Sequence, residues 1–243
     1  MIKFFRKIRL KLLSQNKLSK YLLYAVGEIV LVMVGILLAL QVNNWNEERK
    51  DDIRASNYMR RISEDLDRSI NRSESLLKGS KSILKSVTDT QKFLERGIEL
   101  NSEEKEIVDD AFLWFPRITY HIPNMLTYEE MKESGDLYLI EDIELRNELA
   151  EFHSYLERVE IIYEKLSRTI QSQFSVYNSQ IRAYTDPETL DITFNYEFHN
   201  LTKDSIFINT FSRMTLQWRG VVHFMDQVNQ ISKKVKLKIE REK

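Results

Sequence analysis

The feature that most constrains this chain is an apolar stretch, Tyr21–Trp45, that carries one carboxylate, Glu28. Its central part, residues 22–42, spans roughly 30 Å at about 1.5 Å per helical residue, which matches the hydrocarbon core of a bilayer. Tyr24 and Trp45 lie near its ends, where aromatic rings favour the membrane interface. The run is longer than the ~7–15 residues of a signal peptide and no A-x-A-type site follows, so the sequence predicts a retained transmembrane helix.

The segment before this stretch, residues 1–20, is basic and contains no acidic residue. Positive charge is retained in the cytoplasm, which predicts a cytoplasmic N-terminus and a translocated C-terminal portion. Apolar residues recur between the basic ones at helical spacing, which indicates a short amphipathic helix on the cytoplasmic leaflet. A topology signal alone explains the charges equally well. The predicted lipid headgroup contacts are Lys3, Arg6, Lys7, Arg9 and Lys11.

Glu28 lies inside the predicted membrane helix, where an ionised carboxylate costs on the order of 2.5–3.5 kcal/mol. We therefore expect its side chain to be protonated, hydrated or paired. Helical spacing places it on one stripe with small residues, and Gly35-x-x-x-Ala39 would let a second helix approach closely. The sequence favours a polar contact within a helix–helix interface; a neutral or water-reached carboxyl and an ion or proton pathway are the alternatives. The stripe comprises Glu28, Leu31, Gly35, Leu38, Ala39 and Val42.

The remaining sequence predicts an all-α fold. Only 6 Gly and 3 Pro occur in 243 residues, which favours long uninterrupted helices. Apolar residues follow helical or heptad-like spacing over 62–94, 145–181 and 207–235. Three such helices cannot bury their stripes alone, so we expect an elongated antiparallel bundle whose first helix continues from the membrane helix. The predicted organisation is a cytoplasmic segment (1–20), a transmembrane helix (21–45) and a periplasmic helical bundle domain (46–243).

Shorter elements are predicted between the long helices, and we expect the two short helices to fill one end of the bundle. One should begin near Asn101 and end before Pro116. The next should begin with a capping box formed by Thr127 and Glu130 and stop at Gly135. A short strand is possible at residues 192–198.

The sequence shows no recognisable catalytic chemistry. It contains no cysteine, and its four histidines lack zinc-site spacing. No phosphate-binding loop or nucleophile elbow occurs. The acidic pairs Asp65/Asp67 and Asp109/Asp110 are interpreted as solvated helical positions. We expect no enzymatic activity, no cofactor and no metal, and the net charge of −1 gives no reason to expect a nucleic-acid partner.

Two irregular stretches, around residues 114–126 and 184–200, concentrate aromatic residues that could serve recognition. The alternative, which we favour, is that these rings close the distal end of the bundle core, because aromatic side chains bury large areas. The candidates are Trp114, Phe115, Tyr120, Phe194, Tyr196 and Phe198.

The sequence resembles an uncharacterised family of single-pass membrane proteins found widely in Bacteroidota. The resemblance rests on "MIKFFRKIR", on "NKLSKYLLYAVGEIVLVMVGILLALQVNNWNEERK" with its Asn-Asn-Trp-Asn-Glu exit, and on "LTYEEMKESGDLYLIEDIELRNEL". It implies a bacterial inner-membrane protein with a periplasmic helical domain. It implies no activity, cofactor or catalytic residue.

Three functional hypotheses follow from these patterns. The first is assembly, as a homo-oligomer or with a membrane-protein partner, through the Glu28 stripe and a distal bundle surface. The second is a homo-oligomeric ion channel with Glu28 lining the pore. The third is a ligand-sensing subunit. We expect such a subunit to signal through a partner, because the roughly twenty residues before the apolar stretch leave no room for a cytoplasmic output domain.

Overall fold

The computed structural model describes residues 18–117 and 122–241. The residues predicted to contact lipid headgroups, from Lys3 to Lys11, lie outside the described residues, as does the aromatic candidate Tyr120. The chain divides into two compact units, one ending at Ser56 and the other beginning at Asn57. The described elements are predominantly helical, which confirms the all-α prediction.

The first helix, α1, is continuous from Leu18 to Arg96. No proline interrupts it, and Gly97 ends it with φ 70°, a left-handed conformation that glycine adopts without steric cost. The prediction of a helix that continues beyond the apolar stretch is confirmed. Helix α2, Ser102–Trp114, also agrees with its predicted bounds. It begins with a complete capping box in which Asn101 and Glu104 exchange hydrogen bonds.

Helix α3 spans Leu126–Ser134 and ends at Gly135, φ 80°, before a 3-10 turn at Asp136–Leu139. The predicted capping box is wrong, because α3 begins without a side-chain cap from its own segment. Instead, Asp65 Oδ2 on α1 accepts the Thr127 N–H at 2.8 Å. A carboxylate from a neighbouring helix has replaced the local cap.

Helix α4 spans Ile143–Gln180 and is capped by Asp142. It leads into an antiparallel hairpin of β1, Arg182–Thr185, and β2, Ile192–Asn195. A strand was expected near β2, whereas its partner β1 was not. A single helical turn, α5, Phe198–Leu201, precedes the last helix, α6, Ser205–Arg241.

Helix α6 runs antiparallel to both α1 and α4. Along α1, Asp67 contacts Lys236 and Glu74 contacts Lys233. Along α4, successive contacts pair Glu148 with Lys234 and Tyr163 with the carbonyl of Val221. Helices α1 and α4 therefore run in the same direction, opposite to α6.

Both short helices lie along α1 instead of filling one end of the bundle together, so that expectation is wrong. Helix α2 lies beside residues 86–96, since Ser86 donates to Asp110 and Arg96 pairs with Glu104. Helix α3 lies beside residues 58–65. Together α2 and α3 form one interrupted helix that runs antiparallel to α1. With α4 and α6, the second unit is therefore an up-down-up-down four-helix bundle.

The contact between α1 and α6 is formed partly by buried hydroxyl and amide groups. The Ser69 and Ser232 hydroxyls are 2.8 Å apart, and the Asn229 amide donates to Ser73 Oγ at 3.0 Å. All four residues are buried. Small side chains let the two helix backbones approach closely, and the hydrogen bonds fix one register between them.

Candidate functional site

The apolar part of α1 is exposed around its whole circumference. Its large apolar side chains retain between 46% and 78% exposure from Leu22 to Val42, with the extremes at Val30 and Leu23. By length and composition, this helix could cross a membrane. A soluble surface rarely presents an apolar area of this extent, because exposure of apolar atoms to water is unfavourable.

The predicted Glu28 stripe occupies one side of this helix. At about 100° per residue, its six members fall within roughly 100° of the circumference and extend about 21 Å along the axis. Glu28 is partly exposed and the other members are exposed. A Cβ atom built at Gly35 meets no atom within 4 Å, so the described chain itself leaves space for another helix against this glycine.

A second polar arrangement holds α3 against α1. The Tyr58 hydroxyl donates to Asp136 Oδ2 at 2.9 Å, and the Arg61 guanidinium binds both carboxylate oxygens of Glu130. Burial, followed by the contact with Asp136, raises the pKa of the Tyr58 hydroxyl. The interpretation of Asp65 as a solvated residue is wrong: it is only 2% exposed and caps α3. We call the contacts of Arg61 and Asp65 with α3, together with that of Tyr58 with the turn after α3, the α3 clamp.

The aromatic residues predicted to recognise a ligand or close the core are divided by the structure. Phe115 and Phe198 are buried, and Phe194 and Tyr196 are half-buried. Phe112, which sequence reasoning did not single out, is at the centre of the cluster, with the rings of Tyr196, Phe211 and Phe194 at 5.1, 6.1 and 6.4 Å. Helical spacing along α2 was the signal that could have identified it.

Hydrogen bonds fix the polar atoms of this aromatic cluster. The Tyr196 hydroxyl donates to Asp109 at 2.8 Å, the Tyr177 hydroxyl donates to the Phe112 carbonyl at 2.8 Å, and the Trp218 indole N–H donates to the Phe115 carbonyl at 3.0 Å. Burial is the main cause that raises the pKa of both tyrosines. These tyrosines stay protonated at neutral pH and hold the fold together.

Trp114 differs from the other aromatic candidates because it remains 42% exposed. It borders a groove of about 330 Å³ between α1 and the end of α2. The groove is lined by small residues of α1, including Gly79 and Ser82, and by Asp110 and Arg117. Among the predicted recognition residues that the structure describes, Trp114 is the most exposed.

The described residues contain no cluster of three or more histidine and acidic side chains that could hold a metal ion. His153 packs on the Tyr128 ring with 5.1 Å between centroids, and its nitrogens lie 3.4 and 3.9 Å from Glu157 and Glu129. It is a buried residue between α3 and α4. Its contacts serve packing between those helices.

Comparison with known proteins gives a family without an assigned activity. No curated protein and no solved structure matches the chain. A family model described as "Family of unknown function (DUF6090)" matches residues 28–217, most of the chain. The match includes the Glu28 stripe, the α3 clamp and the aromatic cluster apart from Trp218. The chain belongs to this family of unknown function.

Proposed function

We propose that this chain is a single-pass membrane protein of the bacterial inner membrane that acts by association with other chains. The N-terminus lies in the cytoplasm and the helical bundle lies in the periplasm. The membrane helix assembles with a second copy or with a membrane-protein partner, and the bundle presents a surface to that assembly.

The observation that carries this proposal is the circumferential exposure of the apolar part of α1. A helix of this length that is apolar on all sides is stable in a bilayer, where its backbone hydrogen bonds are satisfied internally. The basic residues before it support the cytoplasmic position of the N-terminus.

The Glu28 stripe supports association through one side of this helix. Within a bilayer the attraction between helices comes from close packing and polar contacts, and both require small residues near a polar group. Gly35 and Ala39 supply the small residues, and Glu28 supplies a carboxyl about 10 Å from Gly35 and about 17 Å from Ala39 along the axis. A charged side chain that faces lipid is costly, so a protein neighbour is the environment that favours Glu28.

The test measures the size of the full chain in nanodiscs with Gly35→Leu and its matched control Gly27→Leu. A Cβ atom built at either position meets no atom of the described chain within 4 Å. The two positions point about 80° apart on the helix. We expect Gly35→Leu and Glu28→Gln to reduce the assembled fraction, and Gly27→Leu to leave it unchanged.

A monomeric wild-type chain without a co-purifying partner would contradict the proposal, as would assembly that neither Gly35→Leu nor Glu28→Gln alters. The orientation has its own test, because the chain lacks cysteine and any introduced thiol is unique. We expect a membrane-impermeant maleimide added to spheroplasts to label Leu216→Cys and to leave Ser14→Cys unlabelled. The reverse labelling would contradict the proposed topology.

A further inference from the structure

The β1–β2 hairpin presents an apolar side chain at its tip in a strained conformation. Leu190 is 73% exposed and has φ 60°, the only positive φ among the described non-glycine residues. A left-handed conformation is unfavourable for a residue with a Cβ, and a bulky residue is unusual there. Glycine or asparagine would satisfy this backbone at lower cost. Because it is 73% exposed, the leucine side chain packs little against the fold.

The loop that imposes this conformation is well ordered by hydrogen bonds. The Asp186 carboxylate accepts the N–H groups of Glu188 and Thr189 at 2.8 and 2.9 Å. The backbone N–H of Asp186 donates to the Asp191 carbonyl at 2.8 Å, and that of Leu190 donates to the Asp186 carbonyl at 2.9 Å. The loop thus holds Leu190 in a fixed position.

The base of the hairpin is attached to the bundle, whereas its tip is solvated. Phe194 packs on Phe112 with 6.4 Å between ring centroids, and Tyr196 is bonded to Asp109. Beyond Phe194, Ile192 remains 38% exposed. An isolated two-stranded hairpin is only marginally stable in water, so the aromatic attachment is what maintains it.

The charges of the tip have one sign. Asp186, Glu188 and Asp191 lie within six consecutive residues that also contain Leu190, and no lysine or arginine occurs between Tyr184 and Phe198. An exposed apolar side chain close in sequence to three acidic residues is complementary to an apolar pocket with a basic border. The same charges disfavour contact with an anionic lipid surface.

We propose that the hairpin tip, residues 184–192, is a docking element that inserts Leu190 into an apolar pocket bordered by lysine or arginine side chains on a partner protein. The proposal rests on the proposed function, because it requires a protein that acts by association. It adds a second contact, made by residues outside the membrane helix. The rigid loop reduces the entropy lost on binding, because Leu190 is already in place.

The test uses a photo-reactive p-benzoylphenylalanine at Thr193, an exposed position of β2, in the full-length protein in native membranes. The same group at Leu216, on α6 and 67% exposed, is the matched control position. We expect a covalent adduct with another protein at Thr193 and none above background at Leu216. We expect the cross-linked peptide of that protein to contain lysine or arginine.

Variants of the tip decide whether this adduct reports the proposed contact. Leu190→Gly should reduce the adduct about tenfold or more, because a central apolar contact carries much of the binding energy. Glu188→Lys should reduce it similarly, whereas Glu160→Lys, an exposed charge reversal on α4, should not. Raising the ionic strength from about 0.05 M to about 0.5 M should weaken it by screening. Leu190→Gly should unfold at an unchanged or higher temperature, because glycine tolerates φ 60°.

Absence of a Thr193 adduct, an adduct with lipid, an adduct between two copies of this chain, or an adduct insensitive to Leu190→Gly and Glu188→Lys would each overturn the proposal. These results are separable from failure of the proposed function. Gly35→Leu changes the size of the membrane assembly, whereas Leu190→Gly leaves that size unchanged and acts on the hairpin adduct alone.

Discussion

The α3 clamp provides the sharpest test of the fold, through Asp65→Ala. Asp65 is 2% exposed, and its Oδ2 accepts the N–H of Thr127, which is also 2% exposed. Removal of the carboxylate leaves that N–H buried without a partner, which costs about 1–3 kcal/mol. Loss of a helix N-cap costs about 0.5–2 kcal/mol. Both figures describe the same bond, so we expect a loss of about 2 kcal/mol in the free energy of unfolding.

The other contact of Asp65 contributes little to this figure. Its Oδ1 pairs with Arg68, whose side chain is 65% exposed, and solvated ion pairs contribute about 0–1 kcal/mol. Asp65→Asn retains an acceptor oxygen for Thr127 and should therefore be milder than Asp65→Ala. Asp67→Ala, which removes a more exposed carboxylate paired with Lys236, is the matched control and should cost less than about 1 kcal/mol.

The assay is thermal unfolding of the full chain in detergent, followed by near-ultraviolet circular dichroism. In a domain of about 200 residues each kcal/mol shifts the midpoint by roughly 2–4 °C, so Asp65→Ala should unfold about 4–8 °C earlier. Hydrogen exchange should show the loss of protection concentrated at the start of α3. A midpoint for Asp65→Ala equal to that of Asp67→Ala would refute the capping argument.

Three further predictions concern other parts of the fold. Contacts with Arg96, and then with the Asn101 N–H, lower the pKa of Glu104 to about 2. The stabilising effect of the Glu104 carboxylate is therefore complete above the unfolded pKa of about 4.5 and is lost as pH falls toward 2. The difference in unfolding midpoint between wild type and Glu104→Gln should narrow over this pH range, and a constant difference would contradict the prediction. Phe112→Ala should cost about 3–5 kcal/mol in denaturant unfolding, since Phe112 is 1% exposed within the aromatic cluster, and a loss below about 1 kcal/mol would show that the cluster is not tightly packed. Gly135→Ala should destabilise the fold by about 1 kcal/mol or more because residue 135 has φ 80°, whereas Gly79→Ala within α1 should stabilise it by about 0.5–1 kcal/mol. Both positions have open space for a Cβ, so equal changes in the free energy of unfolding would contradict the backbone explanation.

The sequence alone determined the helical class, the apolar helix and most helix ends. These follow from local physical chemistry: the apolar periodicity of α4 and α6 and the left-handed glycines at 97 and 135 act within a few residues. The Asn101–Glu104 capping box is equally local, although it was not predicted. The apolar length of α1 likewise needs no partner to be recognised. Such signals are legible because each involves residues that are close together in the chain.

Only the tertiary structure decided which helix lies beside which and which polar residues are buried. The sequence indicates an ordinary solvated acid at Asp65, yet this residue caps a helix through Thr127, 62 positions later in the chain. Thr127 and Glu130 have capping-box spacing, but the α1 carboxylate satisfies the N–H first. The placement of α2 and α3 along α1 and the exposure of Leu190 at the hairpin tip depend on packing between distant segments. Pairing of this kind leaves no periodic trace in a single sequence, because many distant partners could satisfy the same polar group.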